Sequence, residues 1–389
     1  MYLKFRHKER LAMFKTGSPV KGNAFIDRKK HIPILQACLK NAQNTTIKAP
    51  RRFGKTSLAK HVLEHIGGYQ YIYIDIRRAT NLEQLANSII NTAYELVGIQ
   101  NFIRKTKEAS FDLLKSIQKI KIESIGEITL QMQQPNVDKV ELFMHSLDLV
   151  EKIGEKQGAN IVFVMDEFQD IKRLGDKHIL DTMRSVMQHH ENVTYLFMGS
   201  IESMMTYIFE NKESPFFHFT KIMNLPGLDI NELLEYCTSF FGWEKYKVNE
   251  ADLMAMLTFL EGHPDYSART LQQIYYSLLQ DASLEVNRDL CIQSLASAFI
   301  DNKAYLEELA SKAKQKKHHF EVLHATANEI AIDLPSATLY QARTSLEDTG
   351  LLRNVGRGQY KVVDVFLKIF LRIKQTDMED VIEFLEERI

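Results

Sequence analysis

The sequence predicts an α/β fold built on a doubly wound parallel sheet, followed by a helical region and a small C-terminal unit. Three observations support this prediction. Between residues 31 and 198, short apolar strand patterns alternate with helical patterns, which is typical of βαβ units. After Pro226-Gly227 the strand patterns stop, and only helical periodicity remains up to residue 300. Residues 318–374 then combine two helical patterns with two short strand patterns around a Gly-Arg-Gly turn.

Individual elements follow from apolar periodicity and from glycine and proline stops. Gly67-Gly68, for example, ends a helix and precedes the apolar, β-branched and aromatic run YQYIYIDI. The predicted strands are 45–48, 69–76, 161–165 and 194–198. The predicted helices of the same region are 32–41, 56–66, 81–97, 137–157 and 177–190. Between them, residues 102–120 read as an amphipathic segment and 121–135 as a hairpin decoration.

The 389 residues exceed the size of a single core. We expect a basic N-terminal arm (1–22), an α/β core (23–227), a helical lid (228–300), a polar helical linker (301–317), a winged helix (318–376) and an acidic C-terminal helix (377–389). The first thirty residues carry nine Lys and Arg against two Asp and Glu. Such an arm is either a solvated tail or a contact for an anionic partner.

Composition excludes several classes of protein. Hydrophobic residues make up 45% and charged residues 25%, which is typical of a globular chain and excludes wholesale disorder. The net charge of -1 means that any nucleic-acid affinity must come from local patches. Three scattered cysteines exclude a disulfide framework, and no apolar run reaches the length of a membrane span. We therefore expect a soluble cytoplasmic protein with no membrane partner.

A phosphate-binding loop is predicted directly after the first strand. Residues 49–56 match the template G-x-x-x-x-G-K-[ST] except at its first position, where Ala49 stands. Gly54 allows the backbone to approach phosphate, so that successive N–H groups form an anion nest at a helix N-terminus. Lys55 supplies a charge for the outer phosphates, and Thr56 offers a hydroxyl to Mg²⁺. The expected contact residues of the loop are Ala49, Pro50, Arg51, Arg52, Phe53, Gly54, Lys55, Thr56 and Ser57.

Two adjacent carboxylates, Asp166 and Glu167, follow the most continuous apolar strand in the chain. A strand that is apolar on both faces belongs in the centre of a parallel sheet, and its carboxyl end faces the ligand. We expect Asp166 to hold Mg²⁺ together with Thr56, and Glu167 to polarise the water that attacks a γ-phosphate. Since one clear strand separates the two motifs in sequence, an additional strand is expected between the two motif strands in the sheet.

Together these segments resemble the prokaryotic, mainly archaeal-type AAA+/STAND-like P-loop ATPases of the ASCE class that end in a winged helix. The motifs that carry the resemblance are F-x-x-R at 25–28, PRRFGKTSL, YIYIDIR, VMDEFQDI, NVTYLFMGSIESMM, LEGHPDY and GLLRNVGRGQYKVVDVFLKIFLR. The resemblance implies ATP as the nucleotide, Arg28 near the adenine or ribose, and Ser200 as a polar sensor of the γ-phosphate or the attacking water. A loop-capping role is the alternative for Ser200.

The arginines that such ATPases use in catalysis have no obvious counterpart here. His218 and Lys221 are the basic residues near the end of the predicted sheet, and Arg269 is the lid candidate. A finger acting in trans could be Arg184 or Arg173, which the sequence does not distinguish. Because an arginine finger contributes roughly 10³–10⁵ to turnover, we expect slow hydrolysis without a partner.

The C-terminal unit could contact DNA or serve only as a docking module. It holds eleven Lys and Arg against six Asp and Glu over residues 312–374. Its second helix would be the recognition helix, with Gln341, Arg343 and Ser345 exposed, while Arg353 and Arg357 would meet phosphates from the wing.

The favoured function is a Mg²⁺-dependent ATPase switch that couples the nucleotide state to the winged helix. The alternatives are an ATP-regulated DNA-binding loader or regulator, and a scaffold for partner proteins that does not hydrolyse ATP. The protein partner and a homo-oligomeric state stay open.

Overall fold

The computed structural model describes residues 14–20, 22, 25–26, 28–96, 138–281, 285–373 and 375–389. The amphipathic segment and the hairpin predicted over 102–135 lie outside these residues. The strands are β1 (Thr45–Lys48), β2 (Gln70–Asp75), β3 (Ile161–Asp166), β4 (Val193–Gly199) and β5 (Lys221–Asn224). The helices around them are α1 (His31–Lys40), α2 (Lys55–His65), α3 (Leu82–Leu96), α4 (Lys139–Gln157), α5 (Ile171–Leu174), α6 (Ile179–Met187) and α7 (Glu202–Phe209). The four predicted strands are therefore present. Strand β5 was not predicted, because its sequence Lys-Ile-Met-Asn contains an apolar run of only two residues.

The five strands form one parallel sheet in the order β2-β3-β4-β1-β5. An additional strand does lie between the two motif strands, but it is β4, which follows the acidic motif in sequence. The strand that precedes that motif, β2, is at the edge of the sheet instead. Side chains of β3 alternate between two cores as period-2 geometry requires: Phe163 packs on one face of the sheet, and Val162 and Val164 pack on the other.

After β5, the described residues form nine helices, one short hairpin and an isolated β-bridge between Val248 and Val286. The helices are α8 (Ile230–Trp243), α9 (Glu250–Phe259), α10 (Pro264–Gln280), α11 (Arg288–Asp301), α12 (Lys303–Lys314), α13 (His319–Asn328), α14 (Ser336–Asp348), α15 (Val365–Phe370) and α16 (Met378–Glu386). Strands β6 (Leu352–Gly356) and β7 (Gln359–Val362) form an antiparallel hairpin after α14. Two helices followed by a hairpin are the elements expected of a winged helix.

Helices α8–α16 share one hydrophobic core, and we call this part of the chain the C-terminal body. Tyr266 of α10 stacks on Phe366 of α15 at a centroid distance of 3.8 Å. The Tyr266 hydroxyl also donates to Asp364 Oδ2 at 2.6 Å. Helix α12, predicted as a polar connector, buries Leu306 and Leu309 in this core, which corrects that interpretation. The acidic helix α16 buries Val381 and Leu385 in the same core.

The start of the described chain also departs from expectation. Phe14 is 6% exposed and packs edge-on against Phe240 of α8, with ring centroids 4.9 Å apart. At least this end of the predicted arm is therefore anchored to the C-terminal body. In the part of the chain that the model describes, no helix combines the length and the apolar character needed to span a membrane.

Candidate functional site

Parallel strands bring the predicted site residues to one edge of the sheet. The phosphate-binding loop follows β1, Asp166 ends β3 with Glu167 directly after it, and Ser200 follows β4. These strands are neighbours in the sheet, so their carboxyl ends meet. The sequence-predicted residues are thus collected at one place by topology alone.

The loop itself has the backbone geometry that phosphate binding requires. Gly54 has a φ of +81°, a left-handed conformation that costs glycine little and other residues more, and it immediately precedes α2. Ala49 is buried and is not among the residues with positive φ, so alanine is tolerated in place of the template glycine. Arg52 also adopts a left-handed conformation, with a φ of +65°. Strain of this kind is often found at ligand sites.

Lys55 points back into its own loop. Its Nζ donates to the carbonyl oxygens of Ala49 at 2.8 Å and Pro50 at 2.9 Å. Burial lowers the pKa of Lys55 from 10.5 to about 8, although the nearby charges of Glu167 and Asp166 raise it. The ammonium is therefore held in place by the loop. A bound phosphate would favour the charged form of Lys55, which the loss of hydration on burial disfavours.

The carboxylate of Asp166 accepts three hydrogen bonds. Its Oδ2 accepts from Thr56 Oγ1 at 3.0 Å and from the hydroxyl of Tyr73 on β2. Its Oδ1 accepts from the backbone N–H of Glu167 at 2.9 Å. Burial raises the pKa of Asp166, and the hydrogen bonds from Tyr73 and Thr56 oppose that change.

Glu167 is fixed by three donors that converge on one oxygen. Its Oε2 accepts from Ser200 Oγ at 2.6 Å, Gln169 Nε2 at 2.5 Å and Arg77 Nη2 at 2.9 Å. Burial acts to raise the pKa of Glu167, but the hydrogen bonds from Ser200 and Gln169 and the charge of Arg77 outweigh it and hold the pKa below its ordinary value. The residue also has a left-handed backbone, with a φ of +53°. Glu167 is therefore an ionised carboxylate that is oriented by its three hydrogen-bond donors.

A cleft of about 560 Å³ opens in front of these groups. One wall is the phosphate-binding loop together with Asp166 and Glu167, and the opposite wall comes from α10 and Tyr305 of α12. Residues 14–20 line the cleft as well, and the backbone N–H of Val20 donates to Ser57 Oγ at 3.2 Å. Residues 14–20 of the predicted arm therefore contribute to the cleft.

The arginines predicted at the site line this cleft, and two of them also make contacts across it. Arg28 donates through Nη2 to the carbonyl of Phe53 at 3.0 Å and through Nη1 to that of Pro226 at 2.8 Å. Arg52 lies 4.6 Å above the ring of Tyr305, with its Nη1 3.3 Å from Asp265 Oδ2. Arg51 also lines the cleft. Arg28 is only 3% exposed, so its observed contacts join the loop to the start of the C-terminal body.

The candidate catalytic cations are bound within the chain or lie far from the cleft. Arg269 pairs with Asp265 at 2.8 Å, and Arg173 donates to the carbonyl of Ala79 at 2.9 Å. Arg184 lies 4.3 Å above the ring of Phe219. Lys221 starts β5 opposite Thr45, the first residue of β1, and His218 precedes it, so both lie at the amino-terminal end of the sheet. That placement excludes His218 and Lys221 from their own cleft.

Some of the residues predicted to face DNA are exposed in the structure, and others contact residues of the same chain. Gln341 and Arg357 are exposed. Arg343 instead lies 4.9 Å above the ring of Tyr360, and Ser345 Oγ accepts from Lys316 Nζ at 3.1 Å. Arg353 pairs with Glu202 of α7 at 3.3 Å, so in this structure it contacts the α/β core rather than projecting as a free wing residue.

Sequence reasoning missed Arg77, Tyr73 and Gln169 as site residues. All three lie in the motif segments YIYIDIR and VMDEFQDI, so motif proximity was the available signal. The contacts of Tyr73 and Arg77 depend on β2 pairing with β3 in a register that places Asp75 opposite Asp166. That register brings the end of β2 beside the carboxylates, and no local pattern encodes it.

The donor set suits a Mg²⁺-bound triphosphate. A threonine hydroxyl and a carboxylate that already share a hydrogen bond are oxygen ligands of the kind that Mg²⁺ prefers. A left-handed glycine, a lysine and a helix N-terminus are the corresponding elements of a phosphate site. The fold and this site together define a P-loop nucleotide-binding ATPase domain.

Comparisons with known proteins agree with that class. A family model described as an ATPase domain predominantly from Archaea matches residues 25–268, and the chain belongs to this family. The fold is similar to that of a Walker-type ATPase of Pyrococcus abyssi, with a TM-score of 0.67 and 17% identity over 93% of this chain and 100% of that chain. It is also similar to the ORC2 protein of Aeropyrum pernix, with a TM-score of 0.52 and 12% identity over 97% and 98% of the two chains. No curated protein matches the sequence.

Proposed function

We propose that this protein binds ATP with Mg²⁺ in the cleft and hydrolyses it slowly, as a switch that acts on its C-terminal body. The observation that carries the proposal is that Glu167 and Lys55 line one cleft, while Ser200 donates to Glu167 from behind it at 2.6 Å. This arrangement combines a general base, the group that positions it and a phosphate-binding cation. The Aeropyrum pernix structure is described as ADPNP–ADP complexes, which supports an adenine nucleotide here.

The loop residues would bind the phosphates. Gly54 and the N-terminus of α2 present backbone N–H groups and a positive dipole end, and Lys55 would exchange its two carbonyl contacts for phosphate oxygens. Phe25, Leu228 and Leu233 also line the cleft. We assign the adenine ring of the nucleotide to this more apolar part. Arg28 would act by holding the loop against Pro226.

Thr56 and Asp166 are the residues that would hold Mg²⁺. When bound, the ion would neutralise charge that develops on the phosphate oxygens. Glu167 would accept a proton from the attacking water, and its lowered pKa keeps it ionised at neutral pH. In the structure, three donors occupy its Oε2, so a water must either use Oε1 or displace one of them.

The route from the cleft to the C-terminal body would pass through α7. Ser200 contacts Glu167, and α7 begins two residues later. From its first turn, Ser203 Oγ donates to the carbonyl of Glu347 at 2.9 Å, and Glu202 pairs with Arg353. The other end of α7 is tied to the strand before the phosphate-binding loop, because Lys48 Nζ donates to Thr206 Oγ1 at 2.9 Å. A shift at Ser200 can therefore change contacts at α14 and β6.

A DNA-binding regulator remains the second candidate. It is supported by the exposed Gln341 on α14 and the exposed Arg357 at the tip of the hairpin. The engagement of Arg353 with Glu202 weakens it in the conformation observed. Several phosphate contacts would give a steep dependence of DNA affinity on salt, and a flat salt titration would remove this candidate.

The test of the proposed function is Glu167→Gln. This variant removes the base but keeps the size of the side chain, so we expect unchanged ATP binding and a fall in single-turnover hydrolysis of about 10²–10⁴-fold. Glu191→Gln is the matched control, because Glu191 is exposed at the other end of the sheet, before β4. Hydrolysis by Glu167→Gln at the rate of the unmodified chain would contradict the assignment. Binding without hydrolysis by the unmodified chain, even when assembled, would favour the scaffold alternative.

A further inference from the structure

Tyr73 is a half-buried tyrosine on β2 that no expectation from the sequence used. Its hydroxyl donates to Asp166 Oδ2, the same oxygen that accepts from Thr56 at 3.0 Å. The other oxygen of that carboxylate accepts from the N–H of Glu167. Lys60 of α2 holds the ring from the other side, with its ammonium 5.2 Å from the ring centroid. Tyr73 is therefore fixed between α2 and β3.

The two side-chain donors to Asp166 Oδ2 differ in what else they could do. Thr56 is the hydroxyl of the phosphate-binding loop, and binding a cation would use its oxygen lone pair and weaken its bond to Asp166. Tyr73 has no such competing role among its observed contacts. It is a neutral donor on a strand paired with β3 over six residues, so its position follows that of Asp166. Once Thr56 binds a metal ion, Tyr73 is the remaining side-chain donor to this carboxylate among the residues that the structure describes.

We propose that Tyr73 is a positioning residue of the metal site, which holds the Asp166 carboxylate in the orientation that accepts Mg²⁺–nucleotide. This inference rests on the proposed function, since it concerns the same site. Hydrogen-bond partners that orient a ligand side chain typically contribute 10–100-fold to metal affinity. The Tyr73 hydroxyl could also have the opposite effect on metal affinity. If it merely occupied the position of the ion, then removing it would strengthen the binding of Mg²⁺–nucleotide.

Tyr73→Phe separates these two effects because it deletes one oxygen and keeps the ring beneath Lys60. The probe is a fluorescent ATP analogue, titrated once with Mg²⁺ and once with EDTA, and Mn²⁺ binding followed by electron paramagnetic resonance gives a second readout. We expect the affinity with Mg²⁺ to fall by about 10-fold or more, whereas the affinity in EDTA changes by less than about twofold.

Tyr71→Phe is the matched control. Tyr71 precedes Tyr73 by two residues on the same strand, so it shares its face, and it is 37% exposed. We expect this variant to keep the metal dependence of the unmodified chain. Thermal melting compares the folding of both variants, and Tyr73→Leu, which lacks both the ring and the oxygen, is a second test of the same loss.

Three results would overturn the inference. Tyr73→Phe could retain the full metal dependence, it could bind Mg²⁺–nucleotide more tightly, or both Tyr73 variants could fail to fold, which would make Tyr73 a stability residue. Failure of the proposed function looks different, because the unmodified chain would then not bind the ATP analogue with Mg²⁺.

Discussion

Among the contacts between the described parts of the α/β core and the C-terminal body, the cleft junction and the rear junction differ in character. At the cleft junction, Phe53 packs edge-on against His263 at 4.8 Å, and Arg52 lies over Tyr305. At the rear junction, on the far side of Ser200, the contacts are the half-exposed Glu202–Arg353 pair and the hydrogen bond from Ser203. The first junction is aromatic and partly buried, and the second is polar and accessible to water.

The difference between the two junctions indicates how the core and the C-terminal body can stay together while some of the contacts between them change. Buried aromatic contacts contribute through desolvated area and geometry, so they persist through small movements. Half-exposed ion pairs contribute little because water competes for both partners. We therefore expect the cleft junction to keep the core and the C-terminal body together, and the rear junction to be the one that nucleotide-dependent changes can break.

Protonation of His263 should have the largest effect on the cleft junction. Burial lowers the pKa of His263 from 6.5 to about 4, and its ring accepts the N–H of Tyr266 at the start of α10. The unfolded chain takes up this proton below pH 6.5 while the folded chain does not, so stability falls as the pH is lowered through that window. We expect a loss of about 2 kcal/mol from this group between pH 7 and pH 5.

Urea denaturation of the unmodified chain and of His263→Asn at both pH values measures that loss. Asparagine preserves a neutral acceptor at the helix N-terminus but does not titrate. The variant should therefore lose less stability on acidification, and parallel losses in the two chains would contradict the prediction.

Replacement of Arg52 should have the next largest effect. Arg52→Ala removes the contact with Tyr305 and the pair with Asp265, and the side chain is 34% exposed. Solvent screening limits the expected destabilisation to about 1 kcal/mol. Arg78→Ala is the charge-matched control, since that side chain is 86% exposed and pairs with Asp75 outside the cleft. Equal unfolding free energies for the two variants would show that the cleft junction does not depend on Arg52.

The smallest effect is expected at the rear junction. A double-mutant cycle with Glu202→Ala and Arg353→Ala isolates the coupling between the two side chains. We expect a coupling free energy of about 0.5 kcal/mol, because both side chains are partly exposed. A coupling free energy larger than the destabilisation caused by Arg52→Ala would reverse the comparison and make the rear junction the stronger one.

Much of the site was accessible from the sequence, for a topological reason. Asp166 ends a strand, while Lys55 and Ser200 come after strands, and once the strands are parallel their carboxyl ends must share an edge. The position of Phe14 was not accessible, because its burial depends on a partner more than two hundred residues away. The observed partner of Arg353 was not accessible for the same reason, because Glu202 lies 151 residues earlier in the sequence.

The amino-acid sequence by itself determined the class of fold, the phosphate-binding loop and the identity of its acidic partners, since these depend on residue type, on short spacings and on apolar periodicity. Only the tertiary structure decided which donors orient Asp166 and Glu167, which arginines are already bound, and that helices α8–α16 share one core. Hydrogen bonds and ion pairs form over a few ångströms in space, and neighbours at that distance are set by strand order and register rather than by position along the chain.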